Sequence, residues 1–185
     1  SPPSLQGPRA PDVMKKIFGS WTSDLKFFYF KECSLENIPV VVARSGWSGE
    51  AGYEIYLRDG KLGNRLWEII MEAGKEFNIA PAAPSQINRV EGGMLSYGSD
   101  MSLNENPYDL NLGKFVHLEK KADFISKKAL EKIKSKGPKK ELVGIEIQCD
   151  PFKDFVADHL LLYFNNKISG KITSSIYSPR LKKNI

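Results

Sequence analysis

The chain has 185 residues, of which 41% are apolar, and a formal net charge of +5. That length and composition are ordinary for a globular protein able to bury a real core, and fit one domain plus part of another. No apolar run approaches the roughly 20 residues that cross a bilayer; the longest, Leu160-Leu-Leu-Tyr-Phe164, is strand-sized, and Ser-Pro-Pro-Ser is no signal peptide. Cys33 and Cys149 are too few and too far apart for a disulfide framework, and read as free thiols of a reducing cytoplasm. His117 and His159 have no Cys, Asp or Glu at ligand spacing, so no metal is expected.

Ala10 to Phe18 is expected as a helix after Pro8, with Val13, Met14, Ile17 and Phe18 inward and Gly19 as its stop. Phe27 to Lys31 and Ile38 to Ala43 follow as strands joined by a short polar loop. Gly46, Gly49 and Gly52 punctuate the next segment, where each would permit backbone angles other residues resist. Tyr53 to Leu57 is the next strand, ended by Arg58-Asp59-Gly60. Leu62 to Phe77 has an amphipathic stripe of Leu62, Leu66, Ile69, Ile70, Ala73 and Phe77. Ala80 to Pro84 is a linker, Ser85 to Glu91 a short helix broken by Gly92-Gly93, and Phe115 to Leu118 an expected strand. Gly137-Pro138 marks a composition shift and an expected domain boundary. From Glu141 onward the pattern is strand and turn: Leu142 to Gln148, Leu160 to Phe164, a turn at Asn165-Asn166, and Lys171 to Ile176. The expected fold class is α+β.

Much of the positive charge lies in Lys127-Lys-Ala-Leu-Glu-Lys-Ile-Lys-Ser-Lys-Gly-Pro-Lys-Lys140. Ala129, Leu130 and Ile133 fall at helical spacing, which makes the lysines an outer, solvated face. Aromatic interleaving of the RNA-binding kind is absent, so no nucleic-acid partner is expected. The patch could instead attract a polyanionic cofactor tail.

Strand alternation places Tyr53, Ile55 and Leu57 on one face and Glu54 and Tyr56 on the other. A carboxylate and a phenol thus point the same way, beside a loop carrying Trp47. Such a set suits a flat heterocycle: aromatics stack, and a carboxylate accepts two hydrogen bonds from an N–H-rich ring edge. The alternatives are a solvated acidic residue at Glu54 and core packing at Trp47. Arg89 either reaches a ligand carboxylate or forms a structural ion pair with Glu91 or Glu54.

Arg44-Ser-Gly-Trp-Ser-Gly-Glu-Ala-Gly-Tyr-Glu-Ile55 resembles the R-[TS]-G-[YW]-[TS]-G-E-x-G-[YF]-E-[IV] signature of the folate-dependent aminomethyltransferase family. Further motifs follow in the same order: Leu5-Gln-Gly-Pro8, Arg89-Val-Glu91 with Tyr97-Gly98, Asp123-Phe-Ile-Ser-Lys-Lys-Ala-Leu130, Leu142-Val-Gly-Ile-Glu146 and Tyr177-Ser-Pro-Arg-Leu181. The resemblance covers nearly the whole chain. Trp47, Gly92-Gly93, Asn104 to Tyr108, Lys26 to Phe30 and Ile38 to Val42 look closer to the dimethylsulfoniopropionate (DMSP) demethylase branch than to the glycine-cleavage T-protein. Ser126 and Lys114 depart from the wider pattern.

The resemblance implies an aminomethyltransferase-type folate-binding body over residues 1–137 and the start of a C-terminal β-barrel over residues 138–185. It implies more chain on both sides, including an aspartate beside the reacting atoms. No residue here matches that aspartate's motif, so no catalytic acid or base is assigned. Tetrahydrofolate is the implied cofactor, with Trp47, Glu54, Tyr56, Arg89 and Tyr97 as its binding residues. The implied reaction moves a methyl group from DMSP to N5 of tetrahydrofolate, giving methylmercaptopropionate and 5-methyltetrahydrofolate. The T-protein alternative would engage a lipoyl carrier protein. A non-catalytic folate-binding protein of the same fold is a further class, but its K-G-C-Y-x-G-Q-E motif has no cysteine counterpart near Phe124 to Ala129. No membrane partner is implied, and a homo-oligomer is left open.

Overall fold

A computed structural model describes residues 2–185, which divide into two compact units at Met94 and Leu95. In the first unit, β1 (Ser4–Gln6), β2 (Phe30–Leu35), β3 (Ile38–Ala43) and β4 (Gly52–Leu57) form an antiparallel sheet in the order β1-β4-β3-β2. The helices α1 (Ala10–Phe18), α2 (Trp21–Asp24), α3 (Gly63–Gly74) and α4 (Gln86–Glu91) complete it. Strand alternation sends Ile38, Val40, Val42, Tyr53 and Ile55 inward, where they pack with Val13 and Met14 of α1 and Leu66, Ile70 and Ala73 of α3. Each large apolar side chain so buried contributes about 1.5–3 kcal/mol. Glu54 and Tyr56 therefore lie on the opposite face of β4.

Helix α1 has the expected bounds. Proline sits in its first turn and Gly19 stops it at φ 94°. Helix α3 is shorter than the expected Leu62 to Phe77, because a 3-10 turn flanks it on each side, Gly60–Leu62 and Lys75–Phe77. Asn78 then takes a left-handed conformation. Helix α4 starts one residue after Ser85, whose hydroxyl accepts the Asn88 N–H as an N-cap.

Two expectations in this unit change. The strand expected over Phe27 to Lys31 begins at Phe30 and runs to Leu35. Phe28 has φ 66° and the Tyr29 N–H donates to the Lys26 carbonyl, so the aromatic run makes a turn before it pairs. The β2–β3 hairpin closes through Glu36 and Asn37, both with positive φ, which matches the twist of the strands they join. The Leu5-Gln6 segment, where no strand is expected, forms β1 and pairs Gln6 with Gly52.

The second unit holds α5 (Lys127–Lys136), the hairpin β5 (Leu161–Phe164) and β6 (Lys167–Lys171), and the short pair β7 (Tyr177–Ser178) and β8 (Lys183–Asn184). Asn165 and Asn166, both with positive φ, close the β5–β6 hairpin at the expected turn. The strand expected over Phe115 to Leu118 does not form. Gly113–Phe115 is a 3-10 turn, and the Phe115 and Val116 N–H groups donate to Leu112 and Gly113 carbonyls. Among the described residues, Leu142 to Gln148 forms no strand: the Leu142 N–H donates to the Asp109 carbonyl and Ile147 bridges to Asn184. The strand expected over Lys171 to Ile176 does not form either; β6 ends at Lys171, and Ser175 makes an isolated bridge to Val156.

The buried side chains of this unit are polar: Asp100, Asp109, Ser175, Ser178 and Asn184. Asn184 donates to the carbonyls of Ile147, Cys149 and Asp150 and accepts the Phe152 N–H. Its amide organises a loop region that has little apolar core of its own. Among the described residues, no helix is long and apolar enough to cross a membrane. The architecture is α+β.

Candidate functional site

The sheet face opposite α1 and α3 carries the polar set of interest. Ser45 Oγ donates to Glu54 Oε2 at 2.5 Å, and the Tyr56 hydroxyl makes a longer bond of 3.4 Å to the same oxygen. Among the described residues, Glu54 Oε1 has no hydrogen-bond donor and no cation lies within ion-pair distance of the carboxylate. Glu54 therefore does not pair with Arg89. The Glu54 carboxylate pushes the Tyr56 phenol above its usual range, and burial and their hydrogen bond add to the effect.

The loop between β3 and β4 is built around Gln6. Its amide nitrogen donates to Ser4 Oγ at 2.9 Å and to the Ser45 carbonyl at 3.3 Å, and its amide oxygen accepts Ser48 Oγ at 2.7 Å. A Cβ placed on Gly46 or on Gly52 would lie 2.1 Å from Gln6 Oε1. These two glycines thus give clearance to a side chain. Only Gly49 of the three takes a positive φ, 73°, which corrects the expectation that all three serve unusual backbone angles.

Trp47 sits at the tip of this loop and is 42% exposed, so it is not core packing. The Arg89 guanidinium lies over its ring, 5.8 Å from the centroid. Arg89 is 1% exposed; Nε donates to Gln86 Oε1 at 2.5 Å and Nη1 to the Met94 carbonyl at 3.1 Å. The α4 segment thereby backs the indole with a buried charge. Tyr53, the inward neighbour of Glu54, accepts a bond from Arg44 and donates to the Thr22 carbonyl, which makes Arg44 part of the frame.

The structure brings Glu54 and Tyr56 together on β4 and Trp47 and Arg89 together at the loop tip. Tyr97 is 67% exposed and belongs to the second unit, where it bridges to Met101. Ser45 and Gln6 had no assigned role in the sequence, although both stand inside its motifs. Their contacts depend on the register of β1 against β4, which no local pattern discloses.

An outward carboxylate without a cation partner, one oxygen held and the other open, can accept from a neutral N–H-rich ring edge. An exposed indole in the adjoining β3–β4 loop offers a stacking face. The residues fit a flat, N–H-rich heterocycle such as a pterin.

The GCVT N-terminal domain family matches residues 2–120, and the chain belongs to this family. The dimethylsulfoniopropionate demethylase DmdA of Ruegeria pomeroyi is 37% identical over all of this chain and 50% of its own length. The aminomethyltransferase of Caldanaerobacter subterraneus subsp. tengcongensis is 36% identical over 98% of this chain and 48% of its own. The crystal structure of the glycine cleavage system aminomethyltransferase T from Bartonella henselae superposes with a TM-score of 0.77 at 25% identity, covering 98% of this chain and 48% of that one. The chain spans about half the length of the curated relatives it matches.

Proposed function

We propose that the protein is a tetrahydrofolate-dependent methyltransferase that demethylates DMSP. Its folate-binding body would span residues 1–137, with residues 138–185 beginning a β-barrel. The observation that carries the reading is the Glu54 carboxylate, outward-facing and, among the described residues, without a cation and with Oε1 open. Glu54 would accept from the amino and ring N–H edge of the pterin. Trp47 and Tyr56 would pack on or beside the ring system, with Arg89 behind the indole.

Bound tetrahydrofolate would supply N5 as the nucleophile for the sulfonium methyl group. Because a neutral thioether leaves, little acid–base help is needed, and the task of these residues is to hold the ring and exclude water.

The second reading is an aminomethyltransferase acting with a lipoyl carrier protein, favoured by relatives of that name at nearly the same identity. Trp47 and Gly92-Gly93 weigh toward demethylation. The test supplies the complete gene product with tetrahydrofolate and either DMSP or an aminomethyl-lipoyl carrier. The proposal expects 5-methyltetrahydrofolate from DMSP. Ammonia release from the carrier, with no product from DMSP, would establish the second reading.

A further inference from the structure

We infer that Ser45 is a positioning residue that selects which oxygen of Glu54 faces the ligand, and that Gln6 holds Ser45 in place to do so. The inference rests on the reading of Glu54 as the anchor of an N–H-rich ring. Ser45 Oγ reaches Glu54 Oε2 at 2.5 Å, and Tyr56 adds a weaker contact to the same atom. Both donors act on one oxygen, so the carboxylate is fixed in rotation and Oε1 remains for a ligand N–H. A carboxylate free to turn would have to lose that freedom on binding.

Ser45 is in turn fixed through its backbone. Gln6 Nε2 donates to the Ser45 carbonyl, and the far end of the same amide is held by Ser48 Oγ. Glycine at 46 and 52 leaves the room this amide occupies. The relay thus runs from β1, through a side chain lodged between two glycines, to a hydroxyl on the anchor. The serine does not touch the ligand in this account; it acts through Glu54.

The experiment is a double-mutant cycle on the complete gene product, read as tetrahydrofolate affinity by anaerobic titration calorimetry. Wild type, Ser45→Ala, Glu54→Gln and the double variant are compared, with Ser45→Thr as the conservative replacement. Ser45→Ala is expected to weaken binding about five- to tenfold, Ser45→Thr to restore most of it, and the alanine change to cost little once Glu54 is glutamine. If Ser45→Ala does not fold, Ser45→Cys, with its weaker donor, runs the same cycle. Equal losses from Ser45→Ala in both backgrounds, or no loss in either while Glu54→Gln weakens binding, would overturn the relay and leave the anchor reading intact. No loss from Glu54→Gln itself would overturn both.

Discussion

Glu54 and Tyr56 share a face of one strand, and the charge on the first alters the chemistry of the second. The carboxylate raises the Tyr56 phenol because a phenolate beside it would be repelled. Glu54→Gln is therefore expected to lower the Tyr56 titration toward the ordinary tyrosine range. A difference titration of tyrosinate absorbance against wild type checks this, and an unchanged curve would mean the two groups are apart in solution. At Trp47 the expectation separates two roles. Trp47→Ala should weaken tetrahydrofolate binding by at least the roughly 0.5–1.5 kcal/mol that an aromatic stack adds beyond its buried area, and Trp47→Tyr should keep most of it. Loss of melting temperature with unchanged affinity would limit the indole to supporting its own loop. At this scale the sequence disclosed residue types and strand parity, since period two alone puts Glu54 and Tyr56 together. It did not disclose why Gly46 and Gly52 are glycines, because the side chain that needs the space arrives from β1.

Elements with local stop signals were the most legible. Proline at the start and glycine at the end bound α1, and both act within the helix itself. Segments that need a partner were not. Phe115 to Leu118 is rich enough in apolar residues to resemble a strand, but no ladder reaches it and its N–H groups close turns instead. The end of α3 offers a test in which two magnitudes oppose. Gly74→Ala would raise helix propensity by about 1 kcal/mol. Its new methyl would lie 2.6 Å from Ile79 Cβ, near the root of a side chain packed on the core. Overpacking of that kind costs about 1–3 kcal/mol. A net loss of stability is expected in urea unfolding, and a gain would show that the Ile79 segment yields freely.

A second test at the element scale concerns the tie between Glu105 and Lys140. Hydrogen bonds from Lys140 and Ser102 lower the Glu105 carboxyl from 4.5 to about 2. A depressed folded-state value means that the contribution is present above about 4.5 and is lost as pH falls toward about 2. Glu105→Gln should flatten the acid limb of stability across that window, measured by urea unfolding at stepped pH. An identical acid limb in wild type and variant would place the pair apart in solution.

At the scale of the molecule, apolar burial is uneven. The core cluster lies within the first unit, in α1, α3 and the sheet, whereas the second unit buries polar side chains and exposes Leu103, Ile125, Tyr163 and Phe164. Amide exchange is therefore expected to be slowest in β3, β4, α1 and α3 and markedly faster from Leu95 onward. Uniform protection across both units would contradict that division. The same asymmetry explains why the first unit was easier to read from sequence: its periodic apolar residues meet one another within 94 residues, while the strands of the second find few partners.

The central claim is that Glu54 anchors an N–H-rich ring, and calorimetric titration of tetrahydrofolate into the complete gene product tests it most directly. Glutamine at 54 keeps the shape, removes the charge and turns one acceptor into a donor facing the ring's own N–H groups. A charge-assisted hydrogen bond is worth roughly 1.5–3 kcal/mol, so affinity should fall about ten- to a hundred-fold. Glu50→Gln, in the exposed loop before β4, should cost less. Equal affinity of wild type and Glu54→Gln would contradict the account.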